Sequence, residues 1–167
     1  DFATLKLMPR ILQLLRHVGL EVLVERLVEA TCKINYPREL LEIQVLYDST
    51  DATCEIAATC VAKHRELGFD IHYVNRGSRH AFKAGALEHG LKLATGEFIA
   101  VFDADFIPAE NFLEDVIDYF SDSEVGMIQA RWGHINRDYS LLTQVESVLM
   151  DGHFMIEHGG RDFSGRF

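Results

Sequence analysis

The sequence predicts an α/β fold in which helices cover both faces of a mostly parallel sheet, giving three layers. From Leu41 onward, short apolar runs alternate with stretches in which apolar residues recur at helical spacing, and this alternation is typical of βαβ units. The run 98–102 is apolar at every position, as expected of a strand covered by helices on both sides. With 167 residues, 48% of them hydrophobic, the chain has the size of one domain and enough apolar surface for a core.

The predicted elements follow one another in an ordered series. Strands are predicted at 41–46, 70–74, 98–102 and 125–129. Helices are predicted from the oxygen caps at 49–51 to about residue 68, over 82–93, from 112 to 120, and from 140 to 158 with a glycine pair as the stop. The strand at 98–102 is expected at the centre of the sheet, because both of its faces are apolar.

Residues 1–20 do not follow this rhythm. Five apolar residues recur there at helical spacing: Ile11, Leu12, Leu14, Leu15 and Val18. No strand pattern precedes the helix expected over 21–34. The chain is therefore divided into an atypical N-terminal segment, 1–20, and an α/β part, 21–167.

Charge and cysteine content exclude several classes of function. A net charge of -10 without a cluster of basic residues argues against a nucleic-acid partner. Cys32, Cys54 and Cys60 are odd in number and lack the spacing of a zinc or redox site, so they are expected to be free thiols in a reducing compartment. No run of about 18 apolar residues and no signal peptide is found, so the chain as given is expected to be soluble.

Polar side chains follow three of the predicted strands, at the point where each strand ends. Asp48 follows the first strand, Arg76 and Arg79 follow the second, and Asp103 and Asp105 follow the third. Because ligands of open parallel sheets bind beyond the carboxyl ends of the strands, these side chains are expected to form one site.

Asp103 and Asp105 are the candidate metal ligands. Two carboxylates one residue apart, delivered by a buried strand, suit a hard divalent cation whose remaining positions are filled by phosphate oxygens and water. A surface turn in an acidic chain is the alternative for this pair. Lys83 lies near a helix start, where a cation and free amides meet phosphate. A solvated lysine is its alternative, as a surface position is for Arg76 and Arg79, and a helix cap for Asp48.

A second group of candidates follows the strand predicted at 125–129. Gln129, Arg131 and Trp132 are candidate substrate contacts, since an indole ring stacks on sugars. Core packing with a satisfied arginine is the alternative. His153, Glu157 and His158 lack the order of a zinc motif and are interpreted as structural, and neither a dinucleotide nor a P-loop motif occurs.

Together these segments resemble family-2 glycosyltransferases, in particular the processive branch with cellulose synthase catalytic subunits and glucomannan synthases. The resemblance rests on four ordered motifs at matching intervals: 36–51 with its DSTD end, FKAGAL at 82–87, FDADF at 102–106 and QARWGH at 129–134. It runs from about residue 21 to the end of the chain.

The resemblance implies a truncated GT-A fold that binds a UDP- or GDP-sugar and transfers the sugar with inversion to a glycan acceptor. In this reading Asp48 contacts the nucleoside, Lys83 the diphosphate, and Asp103 and Asp105 the nucleotide and its Mg²⁺ or Mn²⁺. The general base is expected in a T-E-D motif beyond Phe167. The family also implies flanking membrane segments in the parent protein, with this domain on the cytoplasmic face.

Two features depart from the family pattern. The family has paired aspartates where Tyr47-Asp48 stands, and it opens with a strand that ends in a P-x-Y-N-E turn, which residues 9–21 lack. Two alternatives therefore stay open. One is a non-catalytic remnant of such a domain. The other is a phosphohydrolase with Asp103 as nucleophile, although Ile107 stands where that class has a threonine.

Overall fold

The computed structural model describes residues 5–10, 20–48, 53–131 and 133–163. The chain divides into two compact units, with the boundary between Ser121 and Asp122. The first unit contains all the strands among the described residues, and the second is helical.

The first unit alternates strands and helices. Its elements are β1 (Leu5–Arg10), α1 (Leu20–Cys32), β2 (Leu41–Leu46), α2 (Thr53–Glu66), β3 (Asp70–Val74), α3 (Phe82–Leu93), β4 (Phe98–Asp103) and α4 (Phe112–Ile117). Short 3₁₀ helices occupy Arg38–Leu40 and Asp118–Ser121. The four strands are parallel and lie in the order β3-β2-β1-β4. The predicted α/β class with a parallel sheet is confirmed.

The second unit consists of one long helical region and the segment that leads to it. A 3₁₀ helix at Arg137–Tyr139 precedes α5 (Leu141–Gly152), a π-helical stretch (His153–His158) and α6 (Gly159–Phe163). Ser140 caps α5, because its hydroxyl accepts from the backbone N–H of Thr143. The predicted stop at Gly159 and Gly160 is wrong, since the helical backbone continues through both glycines.

The two faces of the sheet are covered differently. One face, here called the core face, packs against α1, α2 and α4 through buried residues that include Ile43, Ile71 and Leu113. The opposite face, here called the α3 face, packs against α3 through Leu46 and Ala86. Because side chains alternate along a strand, the residues of β2 and β4 are divided strictly between these faces.

The expectation that no strand precedes the first helix is wrong. β1 lies inside the sheet and pairs in parallel with β2 on one side and with β4 on the other. Its sequence, LKLMPR, hides this role, because Lys6 breaks the apolar run and Pro9 removes a ladder donor. Pairing with two distant strands overrides these local signals. The helix predicted from Ile11 to Val18 and the caps at 49–51 lie outside the described residues.

The position expected for the strand at 98–102 is also wrong. Within the described part of the chain, β4 forms an edge of the sheet, and Ile99 and Val101 on the α3 face are 42% and 45% exposed. The segment 125–129 forms no strand in the structure. Its apolar run is short and contains Gly126, and a strand requires a partner that completes its hydrogen bonds.

The other predicted elements agree with the structure within a few residues. β2, β3 and α3 have the predicted bounds, and Gly68, with φ +87°, follows the end of α2. The helix predicted from 112 to 120 is α-helical only as far as Ile117 and continues as a 3₁₀ turn.

A buried carboxylate connects β2 to the turn that leads into β4. Glu42, 6% exposed on the α3 face, accepts hydrogen bonds from the backbone N–H and the hydroxyl of Thr95 at 2.9 and 2.7 Å. Its second oxygen accepts from the amide of Gln44 at 2.6 Å. This network fixes the entry of β4 relative to β2, because buried polar groups are costly when left unpaired.

We expect Glu42→Ala to lower the free energy of unfolding by about 2 kcal/mol, because the Thr95 and Gln44 donors lose their charged acceptor. Urea unfolding followed by circular dichroism measures the change. Glu88→Ala is the matched control, since the hydrogen bond of Glu88 to Lys92 is exposed and its loss is expected to leave the midpoint unchanged. Equal midpoints for both variants would contradict a structural role for Glu42.

None of the three cysteines forms a disulfide, as predicted. Cys60 is buried and Cys32 and Cys54 are half-buried. Burial raises the pKa of the Cys32 thiol to about 12 and that of the Cys60 thiol to about 11. Both groups are therefore neutral over the physiological pH range.

We expect Cys32 and Cys60 to resist alkylation by iodoacetamide at pH 8, because the thiolate is the reactive form and a raised pKa makes it scarce. A pKa raised by two units or more predicts rates at least about 100-fold below those of the urea-unfolded chain. Peptide-resolved mass spectrometry gives both rates. Comparable rates in the folded and unfolded chain would show that burial does not suppress these thiolates.

Candidate functional site

The candidate site lies at the carboxyl ends of β2 and β4, on the α3 face. Tyr47 and Ala104 belong to the buried cluster on the core face. Because side chains alternate, Asp48 and Asp103, their direct neighbours in sequence, are directed to the opposite side. Two buried anchors thus direct two carboxylates toward the same helix, α3.

Asp48 forms a half-buried ion pair with Arg76, which follows β3. Arg76 Nη2 lies 2.5 Å from Oδ2 of Asp48, and Nε lies 3.2 Å from both carboxylate oxygens. The two side chains are 13% and 14% exposed. The hydrogen bond to Asp48 raises the pKa of the Arg76 guanidinium, so the guanidinium stays charged.

Asp103 forms the second ion pair, with Lys83 in the first turn of α3. The distance from Lys83 Nζ to Oδ1 of Asp103 is 2.7 Å, and the side chains are 42% and 24% exposed. Lys83 therefore combines a cation with the N-terminal end of a helix, which is the arrangement that suits a bound phosphate. The side chains of this pair are more exposed than those of the Asp48–Arg76 pair.

The turn after β4 carries two carboxylates, Asp103 and Asp105. Ala104, 4% exposed, packs in the core cluster, while Asp103 is half-buried and Asp105 is exposed. The N–H of Phe106 donates to the Asp103 carbonyl at 3.0 Å and closes the turn. Two carboxylates of this kind suit a hard divalent cation. No group of three or more metal-ligating side chains occurs among the described residues, so a metal here needs oxygens from a ligand or from water.

The predicted site residues fall into two groups. Asp48, Arg76, Lys83, Asp103 and Asp105 lie at one end of the first unit, connected by the two ion pairs and the start of α3. The structure thus places these residues at neighbouring strand ends, and their use as one binding site stays a prediction. Arg79 lies in the same β3–α3 loop and is exposed.

The remaining candidates are not part of the first unit. Gln129 and Arg131 belong to the second unit, where the Arg131 guanidinium donates to the carboxylate of Asp151. That contact favours the alternative of a satisfied arginine. Trp132 lies outside the described residues. The side chains of Glu157 and His158, which the sequence analysis grouped with His153, are also outside the described part of the chain.

Sequence reasoning missed one residue of the site, Gly85. A Cβ atom at this position would lie 2.4 Å from the His80 carbonyl oxygen and 2.6 Å from Nη1 of Arg76. Only glycine leaves room for both. The signal in the sequence is the small-residue run after Lys83, but its reason becomes visible only when the position of Arg76 is known.

Tyr47, which replaces a family aspartate, is 3% exposed and does not face the candidate site. It packs on the core face beside Tyr73, whose pKa is raised to about 12 by burial and by the neighbouring Cys54 thiol. The Tyr73 phenol therefore remains neutral at pH 7 and carries no charge toward Asp48. The departure from the family pattern falls on the packing side of the sheet.

We expect Tyr47→Asp, which recreates the family's aspartate pair, to lower the free energy of unfolding by at least about 3 kcal/mol, because it buries an unpaired carboxylate in the core. Chemical unfolding measures the loss. Tyr139→Asp is the control, since Tyr139 is 85% exposed and the same exchange should leave the midpoint unchanged. A fully stable Tyr47→Asp variant would show that position 47 reaches solvent or a ligand.

Comparison with known proteins relates this geometry to characterised families. Residues 19–163 match the family described as Glycosyl transferase family 2. The chain is 39% identical over 136 residues to a probable glucomannan 4-beta-mannosyltransferase 7 of Oryza sativa subsp. japonica, which covers 78% of this chain and 23% of that protein. It is 35% identical over 135 residues to glucomannan 4-beta-mannosyltransferase 1 of Cyamopsis tetragonoloba, covering 78% of this chain and 26% of that protein. The chain thus spans about a quarter of the length of these relatives.

Solved structures agree with the family match. The mannosyltransferase PcManGT from Pyrobaculum calidifontis, in complex with GDP-Man and Mn²⁺, superposes with a TM-score of 0.63 at 27% identity, covering 74% of this chain and 34% of that one. TarS of S. aureus superposes with a TM-score of 0.62 at 16% identity, covering 80% of this chain and 22% of that one, and this likeness supports the fold alone.

None of the helices in the described part of the chain is long and apolar enough to cross a membrane.

The parallel sheet, the carboxylate turn after β4 and the family match over 145 of 167 residues (19 to 163) agree with one another. The chain belongs to glycosyl transferase family 2.

Proposed function

We propose that the first unit binds the nucleotide-sugar donor of a β-glycan synthase, and that the donor is a GDP-sugar. The observation that carries this proposal is the Lys83–Asp103 pair at 2.7 Å, because it brings a cation, a helix N-terminus and a metal-ligating carboxylate to one point. This combination suits a diphosphate with a divalent cation. The likeness to glucomannan mannosyltransferases and to a mannosyltransferase bound to GDP-Man favours GDP over UDP.

In the proposed complex each side chain has a defined task. Asp48 accepts a hydrogen bond from the nucleoside, Lys83 contacts the diphosphate, and Asp103 and Asp105 hold Mn²⁺ or Mg²⁺. The metal would stabilise the negative charge that develops on the leaving diphosphate. Lys83 lies where it adds to that stabilisation, because its ammonium group is already beside Asp103.

The transfer itself requires a second part of the protein. An acceptor hydroxyl attacks the anomeric carbon with inversion, and a general base takes its proton. We propose that this base lies beyond Phe167, as the T-E-D motif of the family implies, and that the acceptor is a glycan. The described residues therefore hold the donor, and sugar transfer is expected of the longer protein.

Calorimetric titration of the chain with GDP and then UDP, with and without Mn²⁺, tests the donor site. We expect Mn²⁺-dependent binding of GDP that Asp103→Asn weakens by about 10- to 100-fold, because a charged ligand contact contributes about 1.5–3 kcal/mol. Asp118→Asn is the matched control, since Asp118 is exposed in the 3₁₀ turn after α4.

The outcomes separate the alternatives. Binding of UDP in preference to GDP would support the proposed donor site but contradict guanine as the base of the donor. Unchanged metal-dependent affinity in Asp103→Asn would contradict the site, and release of inorganic phosphate from a phosphomonoester would favour a phosphohydrolase.

A further inference from the structure

Arg76 connects the end of β2 to the loop that leads into α3 through one side chain. Its Nε and Nη2 atoms donate to the carboxylate of Asp48, at the end of β2. Its Nη1 donates to the His80 carbonyl at 3.2 Å, and Nη2 also reaches the Phe82 carbonyl at 3.4 Å. All three nitrogen atoms of the guanidinium are thus engaged by the protein itself.

These contacts leave little of the Arg76 side chain for a ligand. A guanidinium has five N–H donors, and the engaged side chain is 13% exposed. Sequence reasoning assigned Arg76 as a candidate substrate contact, yet its planar group is directed at a carboxylate and two backbone carbonyls. The carbonyls fix the orientation of the guanidinium, and the guanidinium in turn fixes the orientation of the Asp48 carboxylate.

The surrounding backbone is built around this side chain. Ala81 and Phe82 have positive φ values of 56° and 42°, a conformation that costs a non-glycine residue free energy. The bent backbone turns the carbonyls of His80 and Phe82 toward Arg76. Gly85 leaves the space that the guanidinium and the His80 carbonyl occupy. The positive φ values of Ala81 and Phe82 and the absence of a side chain at Gly85 therefore all accommodate the Arg76 side chain.

We propose that Arg76 is a positioning residue, which holds the Asp48 carboxylate in a single orientation for the nucleoside of the donor and does not itself contact the ligand. This role rests on the proposed function of Asp48. Lysine cannot replace Arg76, because an ammonium group lacks the planar set of donors that meets two carboxylate oxygens and two carbonyls at once.

A double-mutant cycle separates positioning from direct contact. The wild-type chain, Arg76→Lys, Asp48→Asn and the double variant are titrated with GDP, or with UDP if that is the base bound, in the presence of Mn²⁺. Each single variant is expected to weaken binding by about tenfold. The affinity of the double variant is expected to equal that of the single variant with the lower affinity, because both changes remove the same contact.

Inorganic pyrophosphate with Mn²⁺ is the second ligand. We expect its affinity to change by less than about twofold in all three variants, because it lacks a nucleoside and requires only Lys83, Asp103 and Asp105. A general loss of structure would weaken both ligands. The selective loss of nucleoside diphosphate is therefore the signature of a positioned Asp48.

Gly85→Ala tests the same role without altering either charged residue. The added Cβ displaces the His80 carbonyl or the guanidinium, and we expect the same selective loss of nucleoside diphosphate affinity. Gly152→Ala is the matched control, since a Cβ at Gly152 meets nothing within 4 Å and the residue is also helical.

Each contrary result has a distinct meaning. Additive losses in the double variant would overturn the proposal and show that Arg76 contacts the nucleoside directly. An equal loss of pyrophosphate affinity in variants with the circular dichroism spectrum of the wild type would also overturn it and place Arg76 on the diphosphate. Binding of neither ligand by the folded wild-type chain would contradict the proposed function itself, and the role of Arg76 would fall with it.

Discussion

The site depends on the alternation of side chains at the carboxyl ends of β2 and β4. Tyr47 and Ala104 are fixed in the buried cluster of the core face. The side chains of their neighbours Asp48 and Asp103 must therefore lie on the α3 face. The core that stabilises the first unit therefore also determines where the carboxylates lie. A shift of either strand by one residue would exchange carboxylates with core side chains, which makes the register of the sheet a condition of function.

Helix α3 complements this arrangement from the other side. Its small residues Gly85 and Ala86 are buried, so the start of the helix lies close to the strand ends. Lys83 and the preceding Arg76 then meet Asp103 and Asp48. The two pairs differ in exposure, and the more buried one has the fully engaged guanidinium. We infer that the two pairs have different roles. The Asp48–Arg76 pair fixes the orientation of the Asp48 carboxylate, and the Lys83–Asp103 pair stays accessible to a ligand.

Local patterns predicted β2, β3, α3 and the residues that follow each strand, because apolar periodicity and turn residues are properties of neighbouring positions. Features set by distant pairing escaped prediction. β1 lies between β2 and β4 although its sequence lacks the pattern of a strand. β4 lies at an edge of the described sheet although both of its faces are apolar. The engagement of Arg76 also depends on carbonyls whose direction no sequence pattern reveals.

The charges of the site determine how it must bind an anion. Asp48, Asp103 and Asp105 contribute three negative charges, and Arg76 and Lys83 contribute two positive ones, so the formal charge is −1. Such a site repels a diphosphate in a chain that already carries a net charge of -10. A divalent cation changes the local sum to +1 and reverses the sign of the interaction. The charge of the site, as well as its ligand geometry, therefore supports the proposal that donor binding depends on a metal.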